Sequence, residues 1–252
     1  MITWDEIRRE RGIPVSRVFT DPEFVAPMEA YLTPCREALD RLLWAFEQDL
    51  YVFGGPPRDV FRYVLEGCTR PRPADLDIFL DDGEERIDLD ELIGRVRMSG
   101  LGEPQVFEFG SVQYVQVKGD LEFEVFPFSR KFVYLDHPEL PVTLDATLGA
   151  IDLNTSSGCY DLRRKRIVSC GAFEGVRDQE VEINYVHPLG VQDSMVRVVA
   201  HARRFGYRIG PRARDLIRRE YDPGNDDALR AHVRRKHPDM DLAPILAALR
   251  RI

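Results

Sequence analysis

Residues 50–80 read LYVFGGPPRDVFRYVLEGCTRPRPADLDIFL. Leu50–Phe53 is a short apolar run that suits a strand, and it feeds directly into Gly54-Gly55. Pro57 fits the first turn of a helix, where a missing N–H costs little. The helix is predicted over Asp59–Glu66, and Gly67 stops it. A polar loop follows, then a strand over Leu76–Leu80 entered through Asp75 and Asp77. Two carboxylates at i and i+2 on a strand project from one face. The glycine pair lets backbone come close to a phosphate. Carboxylates on one side and a phosphate cradle on the other are what a magnesium–nucleotide site needs, because Mg²⁺ takes hard oxygen ligands and shares them with substrate phosphates.

The rest of the chain is compatible with such a site. At 252 residues and 44% hydrophobic it can bury a core as one large domain or two small ones. No run of about 18 apolar residues is present, so no membrane-spanning helix is expected. The start, MITWDEIRRERG, is charged and does not read as a signal peptide. Cys35, Cys68, Cys159 and Cys170 are far apart and lack metal-ligand spacing, which points to reduced thiols and a cytoplasmic location. The net charge of −8 is divided unevenly. Residues 197–252 hold 14 Lys and Arg against 7 Asp and Glu, whereas residues 1–196 hold 21 against 36. The acidic part carries the metal candidates. The basic part is a solvated helical surface or the place where a polyanion lies.

Outward from the central stretch, residues 4–12 read as a short helix, and 22–48 as helix divided at Pro34. Asp88–Met98 is helical, with Leu89, Leu92, Ile93 and Val96 inward. Strands are predicted at Gln105–Phe109, Val112–Val117 and Leu121–Phe126, with turns at Gly110-Ser111 and Gly119-Asp120. Residues 141–153 hold a helix and the start of a strand, and Cys159–Asp161 with Arg166–Ser169 make a hairpin. From Gln192 the pattern is helical to the C-terminus, through 211–221, 226–236 and Asp241–Arg250. The predicted architecture is α+β: a mixed sheet with flanking helices over residues 1–185, then a small helical neck over 186–252. The phenylalanines at 107, 109, 123, 126, 128 and 132 have strand spacing and are read as core. His137, His187, His201, His232 and His237 show no metal spacing, and His201 is read as a packed or solvated side chain.

Gly54-Gly55, Arg58-Asp59, Leu65, Gly67 and Asp75-Leu76-Asp77 resemble the GGxxRD…LxG…DxD signature of the poly(A) polymerase head domain. That domain is found in bacterial poly(A) polymerases and class II CCA-adding enzymes, within the polymerase-β-like nucleotidyltransferases. The resemblance implies a two-metal site, Mg²⁺ with Mn²⁺ as a substitute, with Asp75 and Asp77 as ligands. Glu124 is the third carboxylate, since Glu124-Val125 and Phe128 match the family's IEVATF segment; Glu122 faces the same way and competes for the role. Gly54, Gly55 and Arg58 would hold phosphates, and Asp59 either orients Arg58 or binds a ribose hydroxyl. Pro56 and Pro57 depart from the family's small residues and remove two N–H donors. Asp145, in Asp145-Ala-Thr147-Leu-Gly149, matches the Asp of the RRDFTINAL motif, but Thr143, Leu144 and Gly149 replace its arginines and Asn.

The segment Gln192–Ile209 resembles the family's neck, with Arg204, Gly206, Tyr207, Arg208 and Ile209 matching. The base-reading EDxxR becomes Gln192-Asp193 with Arg197. Asp193 and Arg197, four apart on a helix, are expected to pair with each other. Arg197, Arg203 and Arg204 are the candidates for base or phosphate contact. Three functions fit. The first is an NTP-dependent nucleotidyltransferase (ATP or CTP) acting on an RNA 3′ end held by the basic C-terminal segment. The second is the same chemistry on a protein or small molecule. The third is a nucleotide- or RNA-binding module without catalysis, which the crowded Asp75/Asp77 pair disfavours because like charges are costly to hold together.

Overall fold

The computed structural model describes residues 2–69, 73, 75–83, 85–109, 112–118, 121–187, 190–236 and 240–252. The predicted turns at Gly110-Ser111 and Gly119-Asp120, and His237, lie outside the described residues. The chain begins with α1 (Trp4–Glu10), β1 (Arg17–Phe19), α2 (Pro22–Leu32) and α3 (Arg36–Ala45). The central unit is β2 (Leu50–Phe53), α4 (Gly55–Glu66) and β3 (Asp75–Leu80). Next come α5 (Leu89–Met98), β4 (Pro104–Phe109), β5 (Val112–Lys118), β6 (Glu122–Pro127), α6 (Phe132–Asp136) and α7 (Leu144–Gly149). The hairpin β7 (Gly158–Asp161) and β8 (Arg166–Ser169) leads to α8 (Ala172–Arg177) and β9 (Glu180–Val181). The C-terminal part holds α9 (Val191–Phe205), β10 (Arg208–Ile209), α10 (Pro211–Glu220), α11 (Asp226–Lys236) and α12 (Ala243–Leu249).

Eight strands form one mixed sheet in the order β1-β8-β7-β2-β3-β6-β5-β4. Neighbours are antiparallel except β3 and β6, which run parallel with Asp75 opposite Glu122 and Asp77 opposite Glu124. Alternation along the strands divides the core. Leu50, Val52, Leu76, Ile78, Phe123 and Val125 face α2–α5 in one apolar cluster. Tyr51, Phe53, Phe79 and Phe128 face the opposite way, packed with Tyr134 and Leu148. Asp75 and Asp77 occupy the row that continues to Phe79, so the carboxylates stand where the aromatic face opens.

Pro34 divides the first long helical segment as expected, through a 3₁₀ turn at Thr33–Cys35. Gly67 takes the left-handed conformation, φ +67°, that closes α4. α4 starts four residues before its predicted beginning, with both prolines inside its first turn. No strand forms within 141–153; Leu153 makes one isolated bridge to Ile183 instead. The sequence reading also lacks β1, whose three residues pair only with β8 at the sheet edge.

A third core lies in the C-terminal part, around Met195, Val198, Val199, Leu216, Ile217, Val233 and Leu246. Leu153 and Val181 belong to it, so this core reaches back across the predicted boundary at residue 185. The two parts are joined through α4 and α9: Phe205 of α9 is flanked by the guanidinium groups of Arg58 at 4.9 Å and Arg62 at 4.5 Å. Tyr207 donates its hydroxyl hydrogen bond to Glu66 at the end of α4. No helix among the described residues is long and apolar enough to cross a membrane, and all four cysteines are free thiols.

Candidate active site

β2 ends at Phe53, opposite Asp77. Gly54 then turns the chain with φ +77° and ψ −111°, a conformation open in practice only to glycine. Its N–H donates to the Gly158 carbonyl at 3.0 Å, which ties the turn to β7. A Cβ at Gly54 would stand 3.4 Å from Asp77 Oδ2, so the turn and the carboxylate are neighbours. Gly55 opens α4, and Pro56 and Pro57 remove two of the N–H groups that a helix start otherwise offers to an anion. Gly54→Ala is expected to cost about 1–3 kcal/mol through backbone strain, since its Cβ would meet Asp77 only at ordinary contact distance; thermal melts of the variant check this.

Phe53, Gly54, Gly55, Pro56 and Asp77 line a cavity of about 600 Å³ between the sheet and α9. Of the sequence-derived candidates, Gly54, Gly55, Arg58, Asp59, Asp75, Asp77, Glu124, Arg197 and Arg204 all reach it. Asp145 does not: its carboxylate accepts a hydrogen bond from Trp4 Nε1 at 2.6 Å and anchors α1 to α7. Glu122 and Arg203 are not part of the wall either. Phe126 and Phe132, read from the sequence as core, line the cavity, whereas Phe123 and Phe128 are buried as expected.

The carboxylates are crowded. Asp77 is pushed up to about 6, first by burial and then by Asp75. Glu124 is pushed up to about 7 by burial, Asp77 and Glu122. Gln116 of β5 donates from Nε2 to both Glu122 and Glu124, the latter at 3.2 Å, which partly offsets the repulsion. Lys131, just after β6, is pushed down to about 8 by burial and held up by Asp77 and Asp152. The folded protein therefore keeps several anionic groups in one partly dehydrated place, an arrangement that a cation relieves.

Arg58 donates through Nε to Asp59 at 2.9 Å, one of the two roles expected for Asp59. The expected Asp193–Arg197 pair does not form. Asp193 meets His232 Nε2 at 2.8 Å. Arg197 Nη1 donates to both oxygens of Asp152, at 2.7 and 2.8 Å, and Ser194 Oγ donates to the same carboxylate at 3.1 Å. Helical spacing allows the first pairing, but tertiary packing brings better-placed partners from 39 and 45 residues away. His201 lines the cavity as a buried ring against Thr155 Oγ1 at 3.1 Å. Burial and the nearby Arg58 and Arg197 hold it well below the ordinary histidine range, so it is neutral near pH 7.

Solved structures share this arrangement of elements. A CCA-adding enzyme in complex with ATP superposes with a TM-score of 0.57 at 14% identity, over 94% of this chain and 54% of that one. The fold is that of the CCA-adding enzymes. A CTP complex gives 0.54 at 14% identity over 85% and 47% of the two chains. The Thermotoga maritima CCA-adding enzyme complexed with tRNA gives 0.53 at 16% over 81% and 46%. This chain thus spans about half the length of the CCA-adding enzymes it resembles in fold. No family model and no curated protein matches its sequence.

The donor set fits magnesium. Among the described residues no three His, Cys, Asp or Glu side chains close into a metal cage. Mg²⁺ does not need one, because it is commonly held by one or two carboxylates with the remaining positions left to water and substrate phosphates. Asp77 and Glu124, side by side on parallel strands, with Asp75 at the mouth, offer that open geometry.

Proposed function

We propose that this protein is a divalent-metal-dependent nucleotidyltransferase that moves a nucleoside monophosphate from an NTP to a hydroxyl, with an RNA 3′ end as acceptor. The observation that carries this reading is the shared cavity. Asp75, Asp77 and Glu124 meet the Gly54-Gly55 turn there, opposite the arginines of α9. In the transfer the acceptor oxygen bonds to the α-phosphorus, the bond from that phosphorus to the bridging oxygen breaks, pyrophosphate leaves with that oxygen, and the hydroxyl proton passes to solvent. Magnesium, when bound, would lower the pKa of the hydroxyl and neutralise charge on the leaving pyrophosphate.

The chain's own residues do the positioning. Asp75, Asp77 and Glu124 would hold the metals. The Gly54 turn brings backbone close to the polyphosphate, while Arg58, oriented by Asp59, reaches it with a planar guanidinium. Arg197, fixed by Asp152, and Arg204 present donors to the base or ribose from α9. α9 and α10 carry the arginines that would draw an RNA backbone to the cavity mouth.

The reading is tested by giving the purified protein each labelled NTP with Mg²⁺ and either total RNA or lysate protein, beside Asp77→Asn. The expected result is label in RNA from ATP or CTP that is lost in the variant. Label in protein would replace the RNA acceptor with a protein one. Equal labelling by both proteins would remove Asp77 from the chemistry.

A further inference from the structure

One cation in the cavity is supplied by neither the Gly54 turn nor α9. After β6 the chain makes a 3₁₀ turn over Phe128–Arg130 that places Lys131 ahead of α6. The turn is pinned from below: Ser129 donates its backbone N–H to Asp82 Oδ1 at 2.9 Å and its hydroxyl to Oδ2 of the same buried carboxylate. Lys131 is thereby carried over two stacked rings, Phe79 and Phe126, whose centroids lie 5.1 Å apart at 11°. Its ammonium stands 4.2 Å from the Phe79 centroid and 5.7 Å from that of Phe126. Phe79 and Phe126 follow Asp77 and Glu124 by two residues on the same face, so Lys131 overlooks the ground roughly 7 Å along the strands from the carboxylates.

Two other cations of the cavity have carboxylates of their own, Asp59 for Arg58 and Asp152 for Arg197. The Lys131 ammonium has ring contacts but, among the described residues, no hydrogen bond or ion pair within bonding distance. Lys131 is half-buried in the cavity wall, and among the described residues none of its three donors is matched by a protein acceptor, a costly state for an ammonium in a partly dehydrated place. The chain has 31 arginines and four lysines, Lys118, Lys131, Lys165 and Lys236, so this compact, point-like cation is the exception in an arginine-rich protein.

We propose that Lys131 is a phosphate-binding residue: its ammonium takes phosphoryl oxygens of the ligand that occupies the cavity beside Asp77 and Glu124. The inference deepens the nucleotidyl-transfer reading and rests on it for the identity of the ligand. Phosphoryl oxygens reach such a place from two sources, the polyphosphate of the nucleotide or the phosphodiester of the acceptor strand. Both offer acceptors that satisfy the ammonium without displacing it from the rings.

The test uses the whole protein and requires no turnover. Inorganic tripolyphosphate with Mg²⁺, and separately a short oligouridylate, are titrated calorimetrically into wild type, Lys131→Met and Lys131→Arg. For one of the two ligands, the affinity is expected to fall roughly tenfold or more in Lys131→Met, the scale for losing a charge-assisted hydrogen bond, and to recover in part in Lys131→Arg. Loss with tripolyphosphate assigns the site to the nucleotide, and loss with oligouridylate assigns it to the acceptor. In wild type, the same ligand should slow acetylation of Lys131 by acetic anhydride, read by peptide mass against the other three lysines; this holds even if Lys131→Met folds poorly. Affinities within about twofold for both ligands, with unprotected Lys131, would overturn the proposal. A protein that binds and protects but never transfers a nucleotide would overturn the proposed reaction and leave the phosphate site standing.

Discussion

Asp77→Asn is expected to lower Mg²⁺-dependent transfer by at least about 100-fold and, in metal-free buffer at pH 8, to raise the unfolding temperature. The two effects share one cause. Burial and Asp75 lift the Asp77 carboxyl to about 6 from an ordinary value of 3.8, so its charged form is worse off folded than unfolded. A carboxyl raised in this way favours the folded state while it is protonated. That contribution is complete below about pH 4, fades as pH rises through about 6, and is absent at pH 8. Removing the charge therefore stabilises the apo protein only on the alkaline side, by about 1–3 kcal/mol at the scale of 1.4 kcal/mol per pH unit. At roughly 2–4 °C per kcal/mol for a chain of this size, a shift of a few degrees is measurable. Added Mg²⁺ should reverse the ranking, since it stabilises wild type by binding its native state and has less to hold in the variant. The loss of activity should exceed the 10–100-fold typical of residues that only support metal ligands. Melts at pH 4 and pH 8, with and without Mg²⁺, check the pattern. A variant that melts below wild type at pH 8 without metal would show that the carboxylates are not held in repulsion.

Glu182→Ala is expected to have the largest effect on stability, about 3–5 kcal/mol. α10 starts at Gly210, which has no side chain to cap it. The cap comes from Glu182, 28 residues earlier. Its carboxylate accepts the backbone N–H of Ala213 at 2.7 Å, of Arg212 at 3.0 Å and of its own neighbour Ile183 at 2.8 Å. Glu182 is 6% exposed, so truncation leaves the buried N–H of Ala213 and the half-buried N–H groups of Arg212 and Ile183 without this partner, each at about 1–3 kcal/mol. A melting point lower by roughly 10 °C follows. Glu182→Gln keeps an amide oxygen for one or two of these donors and should lose less. In the wild type a Cβ at Gly210 would come within 2.5 Å of Glu182 Oε2, so the glycine leaves the room that the capping carboxylate occupies. Denaturant titration of the two variants measures both losses; a cost under about 1 kcal/mol for the alanine variant would sink the capping argument. The consequence reaches the cavity, because α10 packs against α9 and α9 carries Arg197 and Arg204.

The residues that tertiary packing added to the site were not legible in the sequence. Lys131 is the second of two basic residues, Arg130-Lys131, shortly after a strand, a pattern that ordinary surface lysines share. Asp152 lies seven residues beyond Asp145, yet it is Asp152 that faces the cavity and fixes Arg197. Asp193 and Arg197 satisfy the helical pairing rule and do not pair, since His232 and Asp152 are brought closer by the packing of other elements. Asp145 matches a motif position and spends its carboxylate on Trp4.

What the sequence determined by itself was local. The Asp75/Asp77 pair shares a face because a strand alternates every second residue, Gly54 turns because it lacks a Cβ, and Gly67 ends α4 for the same reason. These are short-range rules, fulfilled within a few bonds, so they can be read from the chain alone. The parallel pairing that sets Glu124 beside Asp77, the suspension of Lys131 over Phe79 and Phe126, and the choice of Asp152 as the partner of Arg197 were decided only by the tertiary structure. Apart from Phe126, which lies five residues before Lys131, each joins groups separated by about 45 residues or more, and which of several chemically suitable partners meets which is settled by how the sheet is ordered and where α9 packs against it.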